Sequence, residues 1–555
     1  MQCCPQTRRV LTIGCTLAVV AVIAGVVLYQ NSVPTTPVIV AAEPMPTGAN
    51  KLTDGKSWTL WGGSLSRNLV NLVDRNITQE WDAEEKTNIL WTAALGSKAY
   101  GGPIIANGKI YMGTNNQKPR DPAIKGDKGV MMCFEERTGK YLWQIVFDKL
   151  PNGRVQDWPE EGICSAPVVK DDRIYFISNR CEVICATADE GKIVWKLDMI
   201  GKLGVFPHNL ATCSPLIVGD TLFVITSNGV DEGHINIPKP EAPSFLALDI
   251  EKKLTEPKIL WQSNAPSIKL IAEREKNPNV ALKDLVDKGL VLMHGQWSNP
   301  VYAEVEGKGQ IIFPGGDGWL YSFNPKNGEL IWKFDCNPKA SFYSLGGKGT
   351  RNDFVCTPVV ADGKLYIGVG QDPEHLKGVG HLWCIDIAKT PKNAEKDLSP
   401  FSAADDPNPK FDPADPKNKD SGLVWHYGGD APEGSPRRYL FGRTMSTCAV
   451  HDGLVYASEF DGWVHCFDSK TGKKHWDHDM KSDTWCSPSL VDGKVFIGNE
   501  RGEVMVFAAG KEKKILATNE MPGTPSQVRG TPIAVNGVLY VLTENPCRMY
   551  AIQKK

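Results

Sequence analysis

The chain has 555 residues, with 62 Lys and Arg against 64 Asp and Glu and a formal net charge of −2 at pH 7. This balance gives no overall electrostatic reason to expect a nucleic acid as partner, because nucleic-acid-binding domains usually carry an excess of positive charge. A chain of this length would ordinarily divide into several domains, unless an internal repeat accounts for most of it.

The first predicted element is an apolar segment near the N-terminus. Arg8 and Arg9 precede an uncharged run over residues 10–28, close to the roughly 20 residues that a helix needs to cross a bilayer. The arginines favour a cytoplasmic N-terminus and place the rest of the chain on the extracytoplasmic, periplasmic side. The alternative is a cleaved signal peptide, whose apolar core is usually about 7 to 15 residues long. We predict a cytoplasmic N-terminus over residues 1–9, a transmembrane anchor over 10–29 and an extended linker over 30–56.

From residue 57 to residue 555 one pattern recurs eight times. A small residue, a proline (once a cysteine) and a hydrophobic pair lead into a Gly-bearing turn, and three more apolar strands follow, the last usually with a tryptophan. Each unit therefore predicts four β-strands, which is one blade of a β-propeller. The units begin at Pro103, Pro167, Pro215, Pro300, Pro358, Cys448, Pro488 and Pro532.

The two ends of this array complement each other. The strand around Trp91 precedes any complete unit, whereas the last unit stops after its third strand, around Tyr550. Joining the two ends in one blade closes the ring and removes the exposed edges of an open array. The sequence therefore predicts an all-β fold: an eight-bladed β-propeller of four-stranded antiparallel blades, closed by N- and C-terminal strands and preceded by one transmembrane helix.

Small residues occupy fixed columns of the repeat. In the third strand this column contains Cys133, Cys185, Cys384 and Cys466, and we predict buried small side chains there and not a disulfide framework. A mostly polar column stands immediately before the proline position, and we predict that it lines a central channel. The alternative is that these side chains only satisfy backbone groups nearby. Its members are Gly102, Ala166, Ser214, Asn299, Thr357, Thr447, Ser487 and Thr531.

Two segments carry a family resemblance. Residues 356–368 (CTPVVADGKLYIG) and 461–468 (DGWVHCFD), the latter followed by Thr471, Gly472 and Trp476, resemble pyrroloquinoline-quinone-like (PQQ-like) repeats. The resemblance covers nearly everything after Ser57. The family includes quinoprotein alcohol and sugar dehydrogenases and also cofactor-free propellers, such as the assembly lipoprotein that helps insert outer-membrane barrels. Longer loops such as residues 370–375 (GQDPEH) are similar to uncharacterised membrane-anchored propellers of planctomycete-type bacteria.

A dehydrogenase of this family needs cations for the carboxylates of PQQ, a flat stacking surface, a calcium site of oxygen ligands and a carboxylate base. Candidates for each part are present, although Arg351 and Asp353 could instead form an ion pair and a turn, and Asp231 and Glu232 could simply belong to turns. Asp353 is the candidate base. The candidates for the cofactor are Arg351, Arg443, Arg529, Trp297, Trp485, His208 and Asn209, and those for calcium are Asn228, Asp231 and Glu232. Asp372, Glu374 and His375 form a further polar group.

Two departures argue against that chemistry. The only adjacent cysteines, Cys3 and Cys4, precede the apolar segment, whereas the alcohol-oxidising branch of the family has a disulfide between adjacent cysteines beside its cofactor. The sequence also contains no Cys-x-x-Cys-His haem site. Our leading hypothesis is therefore a membrane-anchored binding or scaffold module that takes a protein partner or a small ligand at one propeller face, without necessarily catalysing a reaction. The alternative is a PQQ- and calcium-dependent dehydrogenase of alcohols or sugars.

Overall fold

The computed structural model describes residues 57–291, 293–402 and 411–554. The expected cytoplasmic segment, transmembrane anchor and linker, residues 1–56, lie outside this range. Among the residues described, no helix combines the length and the apolar character that a membrane crossing requires.

Strands make up most of the described chain. They are β1 (Val70–Asn71), β2 (Ile89–Ala94), β3 (Ile104–Ala106), β4 (Lys109–Asn115), β5 (Lys128–Glu135), β6 (Tyr141–Asp148), β7 (Val168–Lys170), β8 (Arg173–Ile177), β9 (Glu182–Thr187), β10 (Ile193–Asp198), β11 (Leu216–Val218), β12 (Thr221–Ile225), β13 (Phe245–Asp249), β14 (Lys258–Ser263), β15 (Val301–Val305), β16 (Lys308–Pro314) and β17 (Trp319–Phe323). They continue with β18 (Leu330–Asp335), β19 (Val359–Ala361), β20 (Lys364–Val369), β21 (His381–Asp386), β22 (Leu423–Asp430), β23 (Tyr439–Phe441), β24 (Ala449–His451), β25 (Leu454–Ser458), β26 (Trp463–Asp468), β27 (Lys474–Asp479), β28 (Ser489–Val491), β29 (Lys494–Gly498), β30 (Glu503–Ala508), β31 (Ile515–Glu520), β32 (Ile533–Val535), β33 (Val538–Thr543) and β34 (Arg548–Ile552).

Helices are few and short. The α-helices of the described chain are α1 (Met199–Leu203), α2 (Ile268–Lys276) and α3 (Leu282–Asp287). Single 3₁₀ turns occur at Gly153–Val155, Ala265–Ser267, Pro373–His375 and Pro416–Asn418.

The strands form eight sheets, which are the predicted blades. Blades 1 to 4 are β3–β6, β7–β10, β11–β14 and β15–β18, and blades 5 to 8 are β19–β22, β24–β27, β28–β31 and β32–β34 with β2. Blade 5 gains β23 at its outer edge, and blade 7 gains β1, which runs parallel to β28. The prediction of an all-β, eight-bladed propeller of four-stranded antiparallel blades is confirmed.

Blade 8 contains both ends of the repeat array. Strand β2 pairs antiparallel with β34, so that Trp91 lies opposite Ala551 and Thr92 lies opposite Tyr550. Apart from β2, the blade consists of three strands from the end of the chain. The predicted closure of the ring by its two ends is therefore confirmed.

The closing tryptophan of one blade packs against a turn of the next blade. Trp425 of blade 5 donates a hydrogen bond from Nε1 to the carbonyl oxygen of Ser469 in blade 6 at 2.8 Å. Gly472 of the same turn lies on the indole with φ +68°, and a Cβ atom there would be 2.6 Å from the ring. Within its own blade Trp425 lies opposite Cys384, which explains why that column contains small residues. The twelve cysteines of the described chain are all buried and free.

A segment that the repeat pattern did not predict closes one end of the central channel. Residues 58–71, here called the N-terminal belt, run around the inner strands and make hydrogen bonds with all eight blades. From blade 1 to blade 8 its partners are Ile105, Val169, Ser214, Tyr302, Val360, Val450, Leu490 and Ala534. Seven of these partners stand three residues after a member of the polar column. The belt therefore lies on one side of that column along the channel, and the loops that lead into the inner strands lie on the other side, at the mouth.

Hydroxyl and amide side chains around the channel link neighbouring blades. The backbone N–H of Thr357 donates to Thr447 Oγ1, that of Thr447 to Ser487 Oγ and that of Ser487 to Thr531 Oγ1, at 3.3, 2.9 and 3.1 Å. Asn299 continues the ring by donating from Nδ2 to Thr357 Oγ1 at 2.7 Å. The polar column therefore satisfies backbone groups of adjacent blades, as the alternative interpretation expected.

Candidate functional site

The mouth of the channel is a cavity of about 330 Å³. Its wall includes seven members of the polar column, which confirms the prediction that this column lines a central space: Gly102, Ser214, Asn299, Thr357, Thr447, Ser487 and Thr531. Trp61 of the N-terminal belt also lines the cavity. The cavity is therefore a cup, with the belt at its floor.

Aromatic side chains form the rim of the cup. Tyr100 stacks on Trp485 with 5.7 Å between ring centroids, and the guanidinium carbon of Arg529 lies 4.8 Å from the centroid of Trp485. Trp158 and Trp297 complete the aromatic lining. These residues belong to loops that lead into different blades, and the ring geometry brings them together.

The charged groups of the lining are mainly acidic. Glu161, Asp372 and Glu374 line the cavity together with one cation, Arg529. Burial raises the pKa of both Glu161 and Glu374. The Tyr100 hydroxyl hydrogen-bonds to the carboxylate of Glu161 and opposes this rise, while the enclosed Oε2 atom has no further partner of adequate geometry in the described structure. The cup thus offers a carboxylate with remaining acceptor capacity.

Arg529, one of the predicted cofactor-binding cations, is held by two glutamates. Its Nε and Nη2 atoms donate to the two carboxylate oxygens of Glu500 at 2.8 and 2.9 Å, and Nη1 lies 3.2 Å from Glu544 Oε2. Of the other candidates, Trp297, Trp485 and Asn209 line the same cavity. His208 is fully buried directly behind it.

The other two predicted cations lie in the neighbouring loops. Arg351 pairs with Asp335, with Nη2 at 2.7 Å from Oδ1, and donates from Nε to the carbonyl oxygen of Asp317 at 3.0 Å. Arg443 donates to the carbonyl oxygens of His375 and Leu376 and to the side chain of Gln371. Both guanidinium groups therefore hold loop backbone and side chains of the protein itself.

The three predicted calcium ligands stabilise a loop. Asn228 accepts a hydrogen bond from the N–H of Phe206 and donates to the carbonyl oxygen of Lys239 at 2.9 Å each. Asp231 accepts from the N–H of Ile235, and Glu232 forms an ion pair with Arg154 at the surface. Each side chain is engaged in the loop, and their role as calcium ligands stays a prediction.

Behind the cavity wall lies a cluster that sequence reasoning missed, here called the histidine cluster: His208, His234, His294, His375, Asp353 and Asp372. The Nε2 atoms of His208 and His234 are 3.1 Å apart, and the rings of His234 and His294 stack at 4.6 Å. The Nδ1 atom of His294 lies 3.2 Å from Asp353 Oδ2, and its Nε2 lies 3.4 Å from Asp372 Oδ2. Asp353, the predicted base, is therefore part of this cluster.

Burial and charge set the protonation of the cluster. Burial lowers the pKa of His208 to about 4 and that of His294 well below its usual value. Burial and the nearby charge of Asp372 raise the pKa of Asp353. Burial also opposes ionisation of Asp372, but hydrogen bonding to His375 and the other histidines outweigh it and hold the pKa of Asp372 below its usual range. The cluster therefore combines two imidazoles that burial keeps neutral, those of His208 and His294, with His375, whose pKa its hydrogen bond to Asp372 raises.

Little in the sequence pointed to this cluster. Four of the ten histidines of the chain meet there, from loops of blades 2 to 5 with no regular spacing. Only the local group Asp372, Glu374 and His375 and the pair His208 and Asn209 gave a partial signal.

The fold and the mouth together define a PQQ-like propeller. The sequence matches the family described as outer membrane protein assembly factor BamB over residues 126–400, 417–518 and 460–555. The chain belongs to this family of PQQ-like β-propellers.

Relatives and solved structures of similar fold include dehydrogenases. Polyvinylalcohol dehydrogenase of Sphingopyxis sp. (strain 113P3) is 22% identical over 418 residues, 68% of this chain and 55% of that protein. The chain thus spans about half the length of this relative. The solved quinohemoprotein alcohol dehydrogenase ADHIIG of Pseudomonas putida HK5 gives a TM-score of 0.56 at 14% identity, covering 90% of this chain and 80% of that one. A europium-containing methanol dehydrogenase gives 0.53 at 13% identity, covering 88% and 89%. These two likenesses show the shared fold.

The residues of the mouth do not fit PQQ. This cofactor carries carboxylates, and each of the three arginines expected to bind them is already held by acceptors of the protein. The cavity itself adds Glu161, Asp372 and Glu374, which would repel an anion. The geometry therefore favours a neutral or cationic occupant over a polyanionic one.

Proposed function

We propose that the chain is a membrane-anchored, extracytoplasmic binding module whose mouth takes a ligand bearing a primary ammonium group. The ligand is a small amine or a lysine side chain of a protein partner. The observation that supports this proposal is the carboxylate of Glu161, which lines the aromatic cup and keeps acceptor capacity beyond its hydrogen bond with the Tyr100 hydroxyl.

Size, shape and charge agree with this ligand class. A cavity of about 330 Å³ lies within the range of small-molecule sites, roughly 300 to 1,000 Å³. Aromatic faces attract cations, and an ammonium group can donate to the carboxylate of Glu161. The family description as an assembly factor supports a binding role without catalysis.

The test compares three six-carbon ligands that differ only in their head group: hexylamine, hexan-1-ol and hexanoate. Tryptophan fluorescence of the purified full chain at pH 7 reports binding at the rim. We expect hexylamine to bind at least tenfold more tightly than hexanoate, with hexan-1-ol between them. Equal or tighter binding of hexanoate would contradict the proposal.

A matched pair of variants links the preference to one carboxylate. Glu161→Gln should reduce the preference for hexylamine over hexan-1-ol about tenfold, since a tenfold change corresponds to about 1.4 kcal/mol. Glu329→Gln, at a surface position 68% exposed and paired with Lys396, should leave it unchanged. An unaltered preference in Glu161→Gln would also count against the proposal.

The second candidate is a quinoprotein-type dehydrogenase of alcohols or sugars that uses PQQ and calcium. The names of the relatives favour it, and the engaged arginines oppose it. Incubating the full chain with PQQ and calcium and then following dye-linked oxidation of an alcohol panel separates the two functions. Retention of PQQ together with alcohol oxidation would establish the dehydrogenase. If the folded protein neither retains PQQ nor oxidises an alcohol, the binding module is favoured.

A further inference from the structure

We propose that the histidine cluster is a binding site for a divalent transition-metal ion of the zinc class. His208, His234 and His294 supply the nitrogen ligands. Asp372, whose Oδ2 atom lies 3.4 Å from His294 Nε2, forms a second group with His294 and His375 and stands beside the three ligands. This site adjoins the proposed ammonium site through Asp372 but uses other ligands, and it shares none with the calcium ligands predicted from the sequence.

The ligand atoms lie close enough for one ion. One nitrogen from each of His208, His234 and His294 lies within 4.8 Å of the other two, and a second such group is formed by His294, Asp372 and His375. Zinc binds imidazole nitrogen at about 2.0–2.1 Å in a tetrahedral arrangement, which places two ligand nitrogens roughly 3.3 Å apart. The distance of 3.1 Å between the Nε2 atoms of His208 and His234 is close to this value.

The orientation of His208 is that of a metal ligand. Its Nδ1 atom lies 3.1 Å from the carbonyl oxygen of Val230, so that Nδ1 carries the proton and Nε2 presents its lone pair. Histidines that bind metals commonly fix their tautomer by such a bond to a carbonyl group. The lone pair points to His234 Nε2 and to the amide of Asn209, at 3.1 and 3.3 Å.

His294 supplies the second, independent observation. Its side chain is only 9% exposed, and neither of its ring nitrogens has a hydrogen-bond partner of adequate geometry in the described structure. Leaving buried polar atoms without a partner is unfavourable. Because these nitrogens face the other imidazoles and the carboxylates of Asp353 and Asp372, a bound cation would satisfy them.

The donor set selects the class of ion. Imidazole nitrogen suits zinc, copper, nickel and cobalt, whereas calcium takes oxygen ligands. The three imidazoles of His208, His234 and His294 therefore match a divalent transition-metal ion. Asp372 both belongs to the cluster and lines the mouth cavity, so an ion held there lies next to any ligand in the cup.

The test uses Co²⁺ as a spectroscopic substitute for zinc. The purified full chain, stripped with a chelator, is titrated with Co²⁺ while visible ligand-field absorption is followed. We expect one equivalent to bind, to be displaced by Zn²⁺ and to be unaffected by Ca²⁺. The absence of ligand-field absorption, or displacement by Ca²⁺, would overturn the assignment.

Variants of the cluster locate the ion. His234→Gln, at a partly exposed position, and His294→Gln should each weaken Co²⁺ binding at least tenfold, whereas His451→Gln in β24, outside the cluster, should not. His234→Gln keeps the test valid if the buried His294→Gln fails to fold. Several weakly bound equivalents of Co²⁺ that these substitutions leave unchanged would show adventitious surface binding and would refute the site. No Co²⁺ binding by the folded chain would refute it too, because the histidine cluster would then be held together by hydrogen bonds alone.

Discussion

Arg67 donates a hydrogen bond from Nη2 to the backbone carbonyl oxygen of Ser214 at 2.8 Å, across 147 residues of sequence. The same guanidinium group also donates to the carbonyl oxygens of Trp61, Pro215 and Pro300 at 2.8, 3.1 and 2.9 Å. Arg67 is completely buried. It therefore attaches the N-terminal belt to blades 3 and 4 from inside the channel.

Replacing Arg67 should destabilise the whole ring. Arg67→Ala leaves four buried carbonyl groups without this donor and removes a large side chain, so we expect the free energy of unfolding to fall by about 3 kcal/mol. The urea midpoint of the full chain measures this loss. Arg75→Ala removes an exposed arginine of the same region and should change the midpoint little. Equal midpoints for the two variants would contradict the role of Arg67.

The contact between a closing tryptophan and a glycine predicts a difference between two Gly→Ala variants. Gly472 and Gly453 both have positive φ, +68° and +72°, but only Gly472 has a neighbour within 4 Å of the Cβ position, the ring of Trp425. Gly453→Ala should cost about 1 kcal/mol from backbone strain alone. Gly472→Ala should cost about 2 kcal/mol more, because the blade contact must shift. Thermal unfolding measures both variants, and equal losses would show that the contact contributes nothing.

Asp317 should make the stability of the propeller fall between about pH 4 and pH 6. Burial raises the pKa of Asp317 to about 6, against the opposing effects of the Tyr321 hydroxyl and Arg351, while Asp335 adds to the rise. In this pH range the folded chain binds the proton more tightly than the unfolded chain, so stability decreases as pH rises.

Asp317→Asn removes this titration. One pKa unit corresponds to about 1.4 kcal/mol. From pH 4 to pH 6 the free energy of unfolding of the wild type should therefore fall by about 2 kcal/mol relative to that of the variant. Urea unfolding at several pH values measures this change. A pH-independent difference would show that Asp317 ionises normally.

The cysteines of the described chain should be unreactive in the folded protein. All twelve are buried and free, and burial raises the pKa of thiols such as Cys213, to about 12. With Cys3, Cys4 and Cys15 replaced by serine, we expect no reaction with Ellman's reagent in the native state and twelve reactive thiols in denaturant without reductant. Fewer than twelve would reveal disulfide bonds.

The fold could be predicted because every blade repeats the same local pattern of small, aromatic and turn residues. Each third-strand residue such as Cys384 must be small where it faces a tryptophan such as Trp425, and each hairpin needs its turn residues. The closure of the ring of blades could also be predicted, since the surplus strand around Trp91 and the incomplete last unit are visible in the sequence. The N-terminal belt was not predicted, because its contacts with the eight blades follow no repeat in its own sequence.

The site was predicted only in part. The polar column and the rim residues Trp297, Trp485 and Arg529 follow from their fixed position before each inner strand. The partners of the arginines could not be read in this way, because Glu500 and Glu544 come from other loops. The histidine cluster shows the same limit, since loops of irregular length bring His208, His234 and His294 together.

The N-terminal belt has a consequence for biosynthesis. A ribosome makes Asn71 early, yet the carbonyl group that this residue binds belongs to Ala534, near the end of the chain. Likewise, the strand that contains Trp91 can pair only after the strand that contains Ala551 has been made. The first part of the propeller to be translated is thus the last that can form its native contacts. A chain that ends early would lack both the hydrogen bond of Asn71 and the strand pairing of Trp91.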